Sequence, residues 1–282
     1  MCDAWRVPWI PELFSAPVLE RLERRWELER LDAVPYYDGL MSGEHEALIR
    51  SFAGEPVLHD PQRGRVIGRR AFEAYIEELG SWLADRNMSF DPIEHVLTGP
   101  RRFEEVVLHL DADGARVDVP VAIVADRRSD GRLVELRIYH SIWALTGRHV
   151  HRPPMLQRDP DLRLERVVAA YQRALAAGDA DAIIATFEPD GYAREPAGRE
   201  FVHRGRDRLR AFYERWFSNG GGIALERCAL VHDGRACALE YNIVGWGRTA
   251  LPPEAGVAVY VQGDSGGLAA ARMYDDASLP PA

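Results

Sequence analysis

The sequence predicts an α+β fold made twice: two cone-shaped α+β barrels in tandem, each a curved antiparallel sheet wrapped on helices. Three observations predict it. First, the chain repeats itself. Tyr36, Gly43, Phe52, Asp60 and Pro61 recur as Tyr171, Gly178, Phe187, Glu195 and Pro196, every pair 135 positions apart. The offset returns near the ends of the two copies, where LVELRIYHS, from Leu133, matches LAAARMYDD, from Leu268. So long a period duplicates a whole domain and not a solenoid unit. Second, in each copy the helical period comes early and the strand period late. Third, hairpin signals such as ADGA and RSDGR separate the late strands. At 282 residues there is room for two domains, each large enough to bury its own core.

The elements follow in order. Residues 1–32 form an N-terminal extension, with Leu19, Leu22, Trp26 and Leu28 spaced among charges as an amphipathic helix. It is expected to cap the first domain, where Trp5, Trp9 and Trp26 find burial. Domain 1 spans 33–148. Pro35 suits a first helical turn, EHEALIRSFA continues as a second helix, and EPVLHD reads as a strand. Gly64 marks a turn before a short strand around Val66. RRAFEAYIEELGSWLADR places Phe72, Ile76, Leu79 and Leu83 on one helical face. Strands MSFDPIEHVL, RRFEEVVLHLDA, ARVDVPVAIVADR and RLVELRIYHSIWAL follow. Residues 149–163, rich in proline and charge, read as a solvated linker. His149 and His151 lie there, without a third metal ligand in view. Domain 2 spans 164–282. Gly178 closes its long helix LERVVAAYQRALAA, and Asp179 is placed to cap DADAIIATF by accepting from free amides. The run RGRDRLR that opens the third helix, RGRDRLRAFYERWF, reads as a solvated face and not a nucleic-acid patch, and the strands GIALERCALV, ACALEYNIVGW, GVAVYVQG and LAAARMYDD complete the copy.

Composition excludes several classes. A net charge of −9 and a pI near 5.5 argue against a phosphate-binding surface, hence against nucleic acid. No apolar run is long enough to span a bilayer, and the N-terminus lacks a signal-peptide pattern. Three scattered cysteines suit a reducing cytoplasm and no structural zinc. A cytoplasmic protein with no metal and no cofactor is expected.

The run Y-x6-G-D-x-D-x-I-x3-F…E-P-x-G, a G-R before the third helix and a closing G-L-x3-R-x-Y resemble ketosteroid isomerase and its SnoaL-like and NTF2-like relatives. The resemblance covers both repeats. It implies an apolar pocket in the mouth of the cone, and this fold carries isomerases, cyclases, epoxide-opening enzymes and non-catalytic binders alike. The fused pair also resembles the tandem epoxide-opening cyclases of polyether biosynthesis. The resemblance implies a general base at the carboxylate before the proline, which is Glu195 in repeat two and Asp60 in repeat one. It implies an oxyanion-donating tyrosine at Tyr171 and Tyr36. A second oxyanion donor falls on Ala258 and Ile123, which have no proton to donate. The acid that epoxide-opening relatives add on the next long strand falls on Glu226, and on Glu94 in repeat one.

The residues supply their own chemistry beside this. A carboxyl facing an apolar cavity is raised toward neutrality and exchanges protons usefully there. A buried phenol stabilises oxygen charge, and a second carboxyl separates acid from base. Strand alternation turns Arg272 to solvent and Ala271, Met273 and Asp275 inward; in repeat one it turns Leu136, Ile138 and His140 inward. His109 and His59 are further candidates for a histidine-rich first pocket. The preferred reading is carboxylate acid–base chemistry on a small apolar oxygenated substrate in repeat two: isomerisation, cyclisation or epoxide opening. A non-catalytic small-molecule binder is the rival, with one repeat purely structural. A pseudo-dimer within one chain is expected, because relatives pair as two-fold dimers, and a further homodimer is allowed.

Overall fold

The computed structural model describes residues 43, 45–97, 99–196 and 201–278. The expected extension helix, Trp5, Trp9, Trp26, the helix start at Pro35 and Tyr36 lie outside these residues.

In the first repeat, α1 (His45–Arg50) leads to β1 (Val57–Asp60), β2 (Gly64–Ile67) and α2 (Arg69–Ala84). Then come β3 (Ser89–Val96), β4 (Arg101–Ala112), β5 (Ala115–Arg127) and β6 (Leu133–Tyr139). The anticipated spacing on α2 holds, because Phe72, Ile76 and Leu83 are buried in one core. The strand expected to run past His140 ends at Tyr139, and a one-turn helix α3 (Trp143–Thr146) follows.

The second repeat runs α4 (Arg166–Ala177), α5 (Ala180–Ile184), β7 (Phe187–Arg194), β8 (Val202–Arg204) and α6 (Arg206–Trp216). It closes with β9 (Ile223–His232), β10 (Ala236–Trp246), β11 (Thr249–Gln262) and β12 (Leu268–Tyr274). Gly178 takes φ 69° at the end of α4, and an added Cβ would meet the Gly221 carbonyl carbon at 2.8 Å. Only glycine tolerates both demands. Asp179 caps α5 as expected, its Oδ1 accepting from the Ala182 amide at 2.9 Å. β11 starts seven residues before the expected strand. Pro252 and Pro253 hide it, and they sit where the pairing with β10 skips, between Ile243↔Glu254 and Gly245↔Ala250. A missing N–H costs no ladder bond there.

The two sheets share one topology, β2-β1-β6-β5-β4-β3 and β8-β7-β12-β11-β10-β9. In each, the first strand pairs parallel with the last. Registers repeat at the sequence offset: Leu58↔Leu136 becomes Ala193↔Ala271, and Val107↔Pro120 becomes Asn242↔Ala255. Each sheet packs its concave face on its own helices, giving two separate cores. Their other faces meet back to back in a third, where Val96, Phe103, Val124 and Tyr139 pack with Val231, Val257, Val259 and Tyr274.

That inter-sheet layer corrects the expectation for Arg272. Alternation turns it away from its own cavity, but into the second sheet's partner and not into solvent. It is 4% exposed and forks onto the Glu105 carboxylate at 2.9 and 2.5 Å. Arg137, the residue 135 positions earlier, forks onto Glu240 at 2.5 and 3.0 Å. Tyr274 donates to Glu105 and Tyr139 to Glu240, so the two clusters are reciprocal.

The linker keeps most of its residues exposed to solvent and is pinned at a few points. The Arg152 guanidinium lies 4.5 Å from the Tyr139 ring centroid and donates to the His59 carbonyl. Met155 packs against the inter-sheet core, and the Asp159 amide donates to the Arg227 carbonyl. No helix among the described residues is long and apolar enough to cross a membrane.

Candidate active site

A cavity of about 250 Å³ opens into the cone of the second repeat. Its walls are mainly apolar and aromatic, with Leu175, Trp216, Ile243, Trp246, Tyr260 and Met273 among them. Three of the expected residues line it together: Tyr171 from α4, Glu195 from the end of β7 and Asp275 just beyond β12. Helix and strand periodicities bring them to one hollow. Tyr171 shares the buried face of α4 with Val168, Ala174 and Leu175. Met273 and Asp275, two apart, face the same side of β12.

Asp275 accepts a hydrogen bond from the Tyr241 hydroxyl at 2.6 Å. Its apolar surroundings push the carboxyl up to about 6, against the opposing effect of that donor. Gly256 makes the pairing fit. A Cβ there would lie 2.7 Å from the Tyr241 ring and 2.8 Å from the Asp275 Cβ. Nearby, Glu254 is 8% exposed with its Oε1 unpartnered. Burial, then the Asp275 and Asp276 charges, push it up to about 8. Tyr171 shares a 2.8 Å hydrogen bond with the Tyr213 hydroxyl. Burial raises both phenols, which keeps them protonated at neutral pH.

Glu195 sits in a polar corner. Its Oε1 is 2.8 Å from His203 Nε2, and the Arg215 guanidinium donates to Oε1 and Oε2 at 3.0 and 3.2 Å. The His203 ring stacks on Phe212 with centroids 4.2 Å apart, which fixes its plane. Sequence reasoning missed His203, Arg215 and Tyr241. His203 lies on β8, a three-residue strand too short for any periodicity, and Arg215 is a half-exposed arginine beyond the RGRDRLR run, where no pattern marks it. Gly256, within an otherwise Val- and Ala-rich strand, was the signal that could have pointed to Tyr241.

Glu226 does not join the site. Its neighbour Leu225 lines the cavity, so alternation turns Glu226 to the other face of β9. Ala258 stands on the cavity wall, without a donor.

The first repeat holds a smaller cavity, about 100 Å³, lined among others by Asp60, Tyr75, Trp82 and His140. The Asp60 carboxylate is already engaged: it accepts from the Gln62 and Arg63 amides at 2.8 and 2.7 Å and from the Tyr75 hydroxyl at 3.0 Å. Burial pushes His140 down, and its Nδ1 has no partner. The other histidines stay out. His109 bridges Asp118 and Asp91 at 2.8 and 3.2 Å on the face opposite Leu108 and Leu110, and His59 pairs with Glu135 at 2.7 Å. Glu94 pairs with Arg235 of the second repeat. No group of three or more His, Cys, Asp or Glu side chains that could hold a metal ion occurs among the described residues.

Comparison with known proteins follows the duplication. A family model described as a SnoaL-like domain matches residues 33–136 and again 167–265. No match was found among curated protein sequences. Several solved structures are similar over a share close to one repeat. A protein with a ketosteroid isomerase-like fold from Catenulispora acidiphila shares 17% identity, covering 42% of this chain and 90% of its own, with a TM-score of 0.36. The epoxide hydrolase/cyclase-like enzyme SalBIII of pyran ring formation in polyether salinomycin shares 22%, covering 39% and 87%, with a TM-score of 0.34. An NTF2-like protein from Burkholderia xenovorans shares 23%, covering 41% and 84%, with a TM-score of 0.32.

Proposed function

The chain belongs to the SnoaL-like domain family, and from that premise we propose that its second repeat is a cofactor-independent acid–base enzyme acting on a small apolar oxygenated molecule. One observation carries the reading: two carboxyls, Glu195 and Asp275, and a buried phenol, Tyr171, converge on one apolar cavity.

Glu195 removes a proton from the substrate, at carbon beside a carbonyl or at a hydroxyl. Arg215 and His203 hold its carboxylate in one orientation. Asp275 delivers a proton to the oxygen on which charge develops, as carbonyl or epoxide. With Tyr213 as donor in the tyrosine pair, the Tyr171 proton is free to meet the same oxygen. One proton leaves the substrate and one arrives, so isomerisation or ring closure balances without a co-reactant. Epoxide opening by an internal hydroxyl is the version that uses both carboxyls fully. A non-catalytic binder is the rival reading, favoured by Ala258 standing where a second oxyanion donor is absent.

The first repeat serves this reading mainly as a structural partner. The reciprocal Arg137–Glu240 and Arg272–Glu105 clusters support a pseudo-dimer built into one chain.

The test is turnover of a panel of β,γ-unsaturated ketones and hydroxy-epoxides, followed by mass spectrometry and NMR. Glu195→Gln is expected to lower kcat by 10²–10⁴-fold at an unchanged melting temperature, while Asp60→Asn leaves kcat within about twofold. Substrates recovered unaltered by the native chain would leave the binder as the better account, whereas full turnover by the Gln variant would remove Glu195 as the base.

A further inference from the structure

The second repeat's cavity is not enclosed by the second repeat alone. Ser141 and Trp143, from the tail of the first repeat, and His149, at the start of the linker, stand in its wall. Asp276, the residue after the proposed acid, anchors that tail at both ends. Its Oδ1 accepts from the Ser141 hydroxyl at 2.5 Å and lies 3.0 Å from His149 Nδ1. Its Oδ2 accepts from the Val150 amide at 2.7 Å. The Ser141 hydroxyl oxygen in turn accepts from the Trp143 amide at 3.0 Å, which starts α3. The span 141–150 is thus a closed loop, and its closure presents the Trp143 indole to the cavity. There the indole meets Phe201 of the second repeat edge to face, centroids 5.5 Å apart, and stacks on the His149 ring at 6.3 Å. Trp143 remains 36% exposed, a large apolar group turned to a cavity mouth without being absorbed into either core. Its neighbours Ile142 and Leu145 line the first repeat's cavity instead. One turn of helix therefore divides the two hollows.

We propose that Trp143 is the specificity-determining wall of the second repeat's site, contributed in cis by the first repeat and positioned by Asp276, and that it selects flat, ring-bearing apolar ligands of limited length. The proposal rests on the cavity being a ligand site, as in the reading above, but not on any chemical step there. A ring inserted between Trp143 and the aromatic wall gains face and edge contacts. A longer one collides with the indole. By this account the fusion completes the site as well as pairing two sheets.

The experiment compares binding of 2-naphthol, with two rings, and 1-pyrenemethanol, with four, to the full chain by calorimetry. Trp143→Ala is expected to weaken 2-naphthol about tenfold and to shift the preference between the two probes at least tenfold toward the larger. Trp143→Phe is expected to restore most of both effects, with melting temperatures of both variants within about 2 °C of the native chain. A preference ratio unmoved by Trp143→Ala overturns the proposal, as does failure of the native chain to bind either probe. Altered selectivity together with full turnover by Glu195→Gln would sink the acid–base reading and leave the wall standing.

Discussion

Asp275 is the side chain whose environment most directly states its chemistry. Its carboxyl sits at about 6 rather than the ordinary 3.8, because apolar neighbours disfavour its charged form. The sign for stability follows from that. The folded chain holds this proton more tightly than the unfolded chain, so the stabilisation is complete below about pH 4 and is lost as pH rises through about 6. Asp275→Asn, uncharged throughout, should gain up to roughly 3 kcal/mol on the native chain between pH 4 and 7, measured by chemical denaturation at each pH. Activity should move the opposite way. As proton donor, Asp275 gives native kcat an alkaline limb near pH 6, and the Asn variant should lose that limb along with most of its turnover. A native profile that rises through pH 6 would reverse the roles of Asp275 and Glu195.

Strands decide which residues can act, because a strand offers its side chains to two faces in turn. Along β12 and the residue that follows it, that alternation sends Met273 and Asp275 to the cavity and Arg272 to the inter-sheet layer. On β9 it admits Leu225 and turns Glu226 away. β11 contributes by what it omits: Gly256 leaves the gap through which Tyr241 on β10 reaches Asp275. Gly256→Ala places a methyl in that gap, at distances that Cβ atoms do not tolerate without displacement. The substitution should cost about 1–3 kcal/mol. It should also shift the alkaline limb upward, because the Tyr241 hydrogen bond holds the Asp275 carboxyl down. Thermal melts and the pH profile report the two effects separately, and a limb that stays in place would mean that the hydrogen bond is not coupled to catalysis.

At the scale of the whole chain, the two halves are locked by buried charge. Arg137 is fully enclosed, and besides Glu240 it touches Asp126 and Glu135 at 2.7 and 2.9 Å. The Glu240 charge, the largest effect opposing burial, helps hold the guanidinium protonated. Glu240→Gln removes the deepest counter-charge and should destabilise the chain by about 3 kcal/mol, since a buried cation loses its partner. The paired replacement Arg137→Met with Glu240→Leu should recover most of that loss, because exchanging both partners for apolar volume is often neutral. Denaturant titration of the three chains checks this, and equal instability of the single and double variants would assign the cost to packing. The same layer explains why the two repeats share registers yet differ in their cavities. Sheet geometry is set by the shared interface, whereas the concave faces are free to diverge.

The duplication and the order of helices and strands could be read from the sequence by itself, because each follows from local periodicity and a fixed offset; the pairing of Tyr171 with Glu195 came instead from the resemblance to ketosteroid isomerase and its relatives. The sheet face of Asp275 was legible from local periodicity as well. Local pattern could not say what lies beyond a face, so Arg272 read as solvated when the other sheet covers it. Nor could it bring together residues whose neighbours are distant in the chain. The Arg215–Glu195–His203 corner, the Gly256 gap and the arrival of Trp143 from the first repeat depend on how strands cross and sheets stack. Periodicity fixes the direction in which a side chain points, and only the packed molecule decides what it meets there.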